Sequence, residues 1–207
     1  MTAETPGRSP AAPRHLLLEV WGETDRGCVR EINEDTIFPH TTTDTFPFQP
    51  APERLAQKGQ LLLVADGMGG RESGAQASRW ARQVMVEQYY ELAGPDIQAN
   101  LRTAIQAAGH AVHQYLQSGP AGPRKGGTTL AAALVQENNL YVANVGDSRV
   151  YLIRNGNIER LTEDHTVAQE KVRRGLIPPE QALFDPDLSL IHISEPTRLL
   201  SISYAVF

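Results

Sequence analysis

Two helical patterns follow one another with no strand between them, while the segments on either side read as strands, and this order most restricts the fold. Ser73 is placed to cap a helix running to about Leu92, and Asp96 to start another reaching about Gln117, both with apolar residues at helical spacing. Ahead of them, residues 15–22 (HLLLEVWG) and 35–40 (DTIFPH) are rich in strand formers, and the continuous apolar run from Leu61 to Ala65 has the pattern of a buried strand. Behind them the period changes. TTLAAALVQ, NLYVANV and RVYLIRNGNIERLT, with turns at 137–139, 146–148 and Asn155-Gly156, read as consecutive hairpins, Asn-Gly being the strongest short hairpin signal. Strands, two helices, then an antiparallel meander describe an α+β domain rather than a βαβ sheet. The stretch 41–59, with three prolines and no sustained period, reads as a surface loop.

A chain of 207 residues suffices for one domain with a substantial core, and residues 15–187 are assigned to it. Residues 1–14 (MTAETPGRSPAAPR) carry three prolines and no apolar stretch, so they are expected to form a flexible tail rather than a signal peptide. No apolar run approaches the roughly 20 residues a membrane helix needs, so a membrane is not an expected partner. With a net charge of −5 there is no basic footprint for a polyanion, and nucleic acid is not expected either. The lone cysteine, Cys28, excludes an internal disulfide and fits a cytoplasmic location.

Acidic residues stand at strand edges and turns in three places: Glu34-Asp35 in VREINED, Asp66 in VADGMGG, and Asp147 in NVGDSRVY. Hard divalent ions prefer such oxygen ligands. Taken singly, each acid is more often a turn cap or a solvated loop residue than a ligand. Gly69 and Gly70 permit tight backbone turning after Asp66. His110 and His113 share a helix face with no acidic ligand nearby and read as helix surface, while Thr128, Thr129 and His165 are given no catalytic role.

Five motifs occur in a fixed order: TDRGCVREINED, LLLVADGMGGRESGAQAS, GGTTL, NVGDSRVYLIRNG and LTEDHT. Across residues 18–187 this ordered set resembles the metal-dependent protein serine/threonine phosphatases of the PP2C (PPM) type in their bacterial form. The resemblance implies an αββα sandwich of two antiparallel sheets flanked by helices, with two Mn²⁺ or Mg²⁺ ions in a cleft at one end. Arg30 matches the phosphate-binding arginine, whose planar guanidinium suits bidentate contact with a phosphoryl group. Asp35 and Asp66 match metal ligands, Asp66 as the bridge, with Gly67 offering its carbonyl and Glu34 acting through coordinated water. Asp147 resembles a ligand of a third, weaker metal site. Such a metal pair lowers the pKa of a shared water, aligns it with the phosphorus and neutralises developing charge. Where eukaryotic relatives have a histidine after the Asp-Gly pair, this chain has Met68, so the leaving-group proton must come from elsewhere. The partners implied are phosphorylated proteins, substrates of a Ser/Thr kinase and the kinase itself. A non-catalytic phosphoprotein-binding module on the same fold is the alternative from another class. A phosphatase specialised for an anti-sigma antagonist is a narrower enzyme reading.

Beyond residue 187 the resemblance stops. The family's late Asp-Gly and Asp-Asn motifs, which complete the metal pair, do not appear, so the domain is expected to be incomplete at its C-terminus, inactive as written and poorly stable. Residues 188–207 (LSLIHISEPTRLLSISYAVF) resemble a translation of the transposase-type adapter of short-read sequencing libraries and are set aside as a non-native tail. The alternation in LSLIHI and ISYAVF leaves a genuine strand as the alternative.

Overall fold

The computed structural model describes residues 17–39, 48–69, 72–120, 122–185 and 201–206. Its elements run β1 (Thr36–Phe38), α1 (Pro52–Lys58), β2 (Gln60–Ala65), β3 (Gly67–Met68), α2 (Glu72–Glu91), α3 (Ile97–Gln117), β4 (Gly127–Thr128), β5 (Leu130–Gln136), β6 (Asn139–Val145), β7 (Tyr151–Arg154), β8 (Asn157–Arg160), α4 (Val167–Arg173), a 3₁₀ turn (Pro179–Phe184) and β9 (Ser201–Val206). The main sheet has the order β1-β2-β5-β6-β9, with every neighbouring pair antiparallel. Two short ladders, β3-β4 and β7-β8, stand beside it. The α+β architecture with antiparallel sheets follows the expectation.

One face of the main sheet is covered by α2 and α3. Leu61, Leu63 and Ala65 alternate toward that face and pack with Met85, Val86, Tyr89, Leu101, Ala104 and Ala108. Small residues at 77, 81, 104 and 108 let the two helices lie close on each other and on the strands. Val64, on the opposite face of β2, is 46% exposed.

Several boundaries depart from expectation. Residues 17–22 form no strand, and Leu17 and Trp21 are exposed. A strand exists only through a ladder partner, and none among the described residues lies beside them. The loop expected at 41–59 contains α1: Pro52 opens it, Glu53 sits in its first turn, Lys58 in its last, and Gly59 ends it at φ 81°. The expected strand at 35–40 is shorter, Thr36–Phe38. Helix α2 begins at Glu72, so Ser73 lies inside its first turn instead of capping it. Asp96 does cap α3, its Oδ1 accepting the Ala99 amide at 2.9 Å. The turns at 137–139 and Asn155-Gly156 close the hairpins β5-β6 and β7-β8, with Glu137 and Asn155 at positive φ, whereas β6 and β7 do not pair, so the expected meander is broken at 146–148.

The tail expected at 1–14 lies outside the described residues, as do 188–200 and Phe207 of the C-terminal segment. Ser201–Val206 forms β9, in register from Asn139↔Val206 to Asn144↔Ser201. An alternating sequence completes an open antiparallel edge whatever its origin, so this pairing leaves the reading of 188–207 as a foreign tail where it stood.

Candidate functional site

Asp66 stands where the main sheet stops. Its backbone is held from both sides by the strand that follows α3: the Asp66 amide donates to Thr129 Oγ1 at 3.1 Å, the Thr129 amide donates to the Asp66 carbonyl at 2.9 Å, and Thr128 Oγ1 donates to the same carbonyl at 3.0 Å. Thr129 Oγ1 also meets Ser148 Oγ at 2.6 Å, which links Asp66 to the turn carrying Asp147. The two threonines, given no catalytic role from sequence, are therefore the clamp that fixes the Asp66 backbone. The GGTTL motif was the visible signal, but a hydroxyl pairing 63 residues away has no local signature.

The loop carrying Arg30, Glu34 and Asp35 is pinned to α2. Ser78 Oγ donates to the Glu34 carbonyl at 2.5 Å, Thr36 Oγ1 donates to the Ser78 carbonyl at 3.1 Å, and the Gly67 amide donates to the Glu34 carbonyl at 3.2 Å. The Asp35 amide donates to Asn33 Oδ1 at 3.0 Å, an Asx turn that orients its carboxyl group. Glu34 is buried, and its carboxylate occupies the space where Gly74 lacks a side chain: a Cβ there would lie 2.3 Å from Glu34 Oε2. Gly67 is tighter still, since a Cβ would come within 2.5 Å of the Glu34 and Gly74 carbonyl oxygens, both backbone atoms. Here glycine is required by close approach rather than by dihedral angle.

These elements bring Asp35, Arg30 and Asp147 within electrostatic reach of Asp66. Partial desolvation, then the Asp35 carboxyl beside it, and to a lesser degree Asp147, push Asp66 up to about 6, while Arg30 pulls it down. Asp35 Oδ1 is buried with no hydrogen-bond partner. Arg30 itself lies on the exposed part of its loop. Asp147 is exposed on the turn after β6, where Gly146 is held twice by His165: its amide donates to His165 Nδ1 at 3.1 Å and its carbonyl accepts the His165 amide at 2.9 Å. Burial pushes the His165 imidazole down, in keeping with a neutral ring whose Nδ1 accepts. His110 Nε2 contacts Gln114 Nε2 at 3.0 Å on the exposed side of α3.

The donor set suits a hard divalent cation. A buried carboxylate oxygen without a donor, and an Asp66 carboxyl pushed up by desolvation and by its neighbour Asp35, are the features a cation relieves. The set is also thin, because among the described residues no three acid, histidine or cysteine side chains converge closely enough to hold a metal ion.

The chain is similar to known proteins. Residues 33–174 match the family profile "Protein phosphatase 2C". The serine/threonine protein phosphatase PstP of Mycobacterium tuberculosis is 34% identical over 189 residues, covering 88% of this chain and 33% of the relative. A serine/threonine phosphatase stp of Listeria welshimeri is 34% identical over 172 residues, covering 81% of this chain and 63% of the relative. The chain thus spans a third of one and under two thirds of the other. Among solved structures, the M. tuberculosis PstP/Ppp crystal structure superposes with TM-score 0.69 at 30% identity, covering 89% of this chain and 71% of that one. The catalytic domain of PstP in complex with two manganese ions gives TM-score 0.65 at 29% identity, covering 89% of this chain and 70% of that one. With residues 33–174, more than half of the chain, matched by the profile, the chain belongs to the protein phosphatase 2C family.

Proposed function

We propose that the protein of which these residues form part is a metal-dependent phosphatase that hydrolyses phosphoserine and phosphothreonine on proteins, acting in the cytoplasm against a Ser/Thr kinase, with the kinase and its substrates as partners. The observation that carries this reading is that Asp35, Asp147 and Arg30 all act electrostatically on Asp66, with the Asp35 oxygen buried and partnerless. Asp35, Asp66 and the Gly67 carbonyl would hold two Mn²⁺ or Mg²⁺ ions, Glu34 would add water-mediated contact, and Asp147 would serve a third, weaker site. Such ions supply Lewis-acid charge and an activated water. The chain's own part is positional. Thr128 and Thr129 hold Asp66 still, Ser78 and Gly74 seat Glu34, and Arg30 presents a guanidinium to a phosphoryl group. Met68 offers no proton to the leaving alkoxide.

The test is Mn²⁺-dependent release of phosphate from a phosphothreonine peptide by the full-length protein, compared with Asp66→Ala and Arg30→Ala. Loss of turnover and of Mn²⁺ binding in the first, and a raised KM in the second, are the expected results; unchanged turnover in Asp66→Ala overturns the assignment. A non-catalytic phosphoprotein-binding module is kept as a second reading because the described residues alone do not complete a metal cage. Tight stoichiometric binding of a phosphoprotein with no turnover would favour it.

A further inference from the structure

We propose that the cleft between the Arg30–Asp35 loop and the first half of α2 receives a bulky apolar side chain of the phosphorylated polypeptide, with an acidic neighbour of that side chain placed against Arg79. This rests on the phosphatase reading and names the kind of segment the site accepts. The cleft has a volume of about 660 Å³, and Ile32, Ala75, Arg79, Trp80 and Tyr115 contribute to its walls. That is within the usual size of a ligand pocket, and large enough for one aromatic or aliphatic side chain with part of its backbone.

Two of the cleft's lining residues are close chain neighbours of the residues assigned to phosphate and metal. Ile32 stands two residues from Arg30 and two from Glu34 on the same loop, and Ala75 follows Gly74, on which the Glu34 carboxylate packs. Trp80 and Ile32 are each 37% exposed, leaving an indole and an aliphatic side chain half-open next to a buried helix face. The far wall is preformed, because the Arg124 guanidinium lies 4.5 Å over the Tyr115 ring and its Nη1 donates to the Tyr115 carbonyl at 2.7 Å. Charge gives the cleft a direction. Glu72 lines the end beside the glycine turn, whereas Arg79 lies two turns further along α2 and has no carboxylate partner among the described residues. An acidic residue is favoured at the Arg79 end and repelled at the Glu72 end.

The experiment uses the full-length protein with Mn²⁺, p-nitrophenyl phosphate as a substrate too small to reach the cleft, and phosphothreonine peptides in which Phe or Ala occupies each of the flanking positions in turn. Phe at one position should lower KM about three- to tenfold with kcat unchanged, and Trp80→Ala should erase that gain while Trp80→Phe keeps it and p-nitrophenyl phosphate turnover stays at the wild-type level. Arg79→Glu should turn a preference for a neighbouring Asp into one for Lys. If no position distinguishes Phe from Ala, or if Trp80→Ala keeps the preference, the cleft assignment is overturned. If the wild-type protein hydrolyses neither substrate, the phosphatase reading fails instead, and the same Phe/Ala contrast measured as peptide Kd still decides the cleft.

Discussion

Asp66 is under two opposed demands: its backbone is fixed by three hydrogen bonds, and its carboxyl is pressed toward the neutral form by desolvation and by Asp35. Its ordinary value of 3.8 rises to about 6 in the folded chain, so protonation favours the fold. That contribution is fully present below the unfolded value and is lost as pH rises through about 6, which makes the metal-free domain less stable at pH 7 than at pH 4.5 on account of this group. A divalent cation reverses the preference, since it binds the ionised form. Mn²⁺ affinity should accordingly fall by about tenfold per pH unit below about 6, as read by isothermal titration, and Asp66→Asn should remove both the binding and its pH dependence. Thr129→Val isolates the clamp. The side chain is buried and keeps its shape on substitution, but the Asp66 amide and the Ser148 hydroxyl lose their partner, so a loss of about 1–2 kcal/mol in urea unfolding is expected. The acids were legible in the sequence because an Asp-Gly pair stopping an apolar run marks a strand end. The threonines were not, because their partners lie far along the chain.

At the scale of elements, α2 is the scaffold on which the site is mounted. Its N-terminal half holds the Glu34 loop through Ser78 and Gly74, and its C-terminal end is tied to the start of β2. Lys58 Nζ donates to the Tyr89 carbonyl at 2.8 Å and to the Leu92 carbonyl, Tyr89 Oη donates to the Lys58 carbonyl at 2.7 Å, and Tyr90 Oη donates to the Gly59 carbonyl at 3.1 Å while accepting the Leu61 amide at 3.0 Å. These bonds satisfy carbonyls that a helix end leaves open. Lys58→Met should therefore destabilise the domain by about 2 kcal/mol while leaving Mn²⁺ affinity unchanged, a separation visible by combining urea unfolding with metal titration. Gly74→Ala should do the reverse. Alanine gains about 1 kcal/mol of helix propensity over glycine, yet its Cβ would lie 2.3 Å from Glu34 Oε2 and 3.0 Å from the Met68 backbone. Displacement of the Glu34 carboxylate should weaken Mn²⁺ binding by about tenfold with helical circular dichroism intact. Helices α2 and α3 were readable because each sustains its period over five turns or more. Helix α1 was hidden among the prolines of its loop, although Pro52, Glu53 and Lys58 are correct terminal signals, and residues 17–22 show that strand-forming composition yields no strand where no ladder partner lies alongside.

For the molecule as a whole, the described residues complete one half of a layered domain well and leave the other half open. The face of the main sheet under α2 and α3 is buried, whereas Val64 on the opposite face, Ile153 and Ile158 paired across the β7-β8 hairpin, and Trp21 are exposed. Apolar faces of this kind lose the stabilisation that a covering layer would supply, at about 25 cal/mol per Å². The proposed metal site shows the same imbalance, with no third acid, histidine or cysteine side chain among the described residues converging on Asp35 and Asp66. Two carboxylates and a carbonyl bind a divalent ion with water filling the remaining positions, which weakens affinity and leaves the second ion of a pair poorly held. The 207-residue chain is therefore expected to bind Mn²⁺ at least about tenfold more weakly than the catalytic domain of PstP, whose structure holds two manganese ions, and to release no phosphate from a phosphothreonine peptide. Side-by-side metal titration and phosphate release decide this. Mn²⁺-dependent turnover by the 207-residue chain would mean that Asp35, Asp66 and Gly67 suffice for catalysis, and that the weak convergence seen among the described acids is enough to hold the ions.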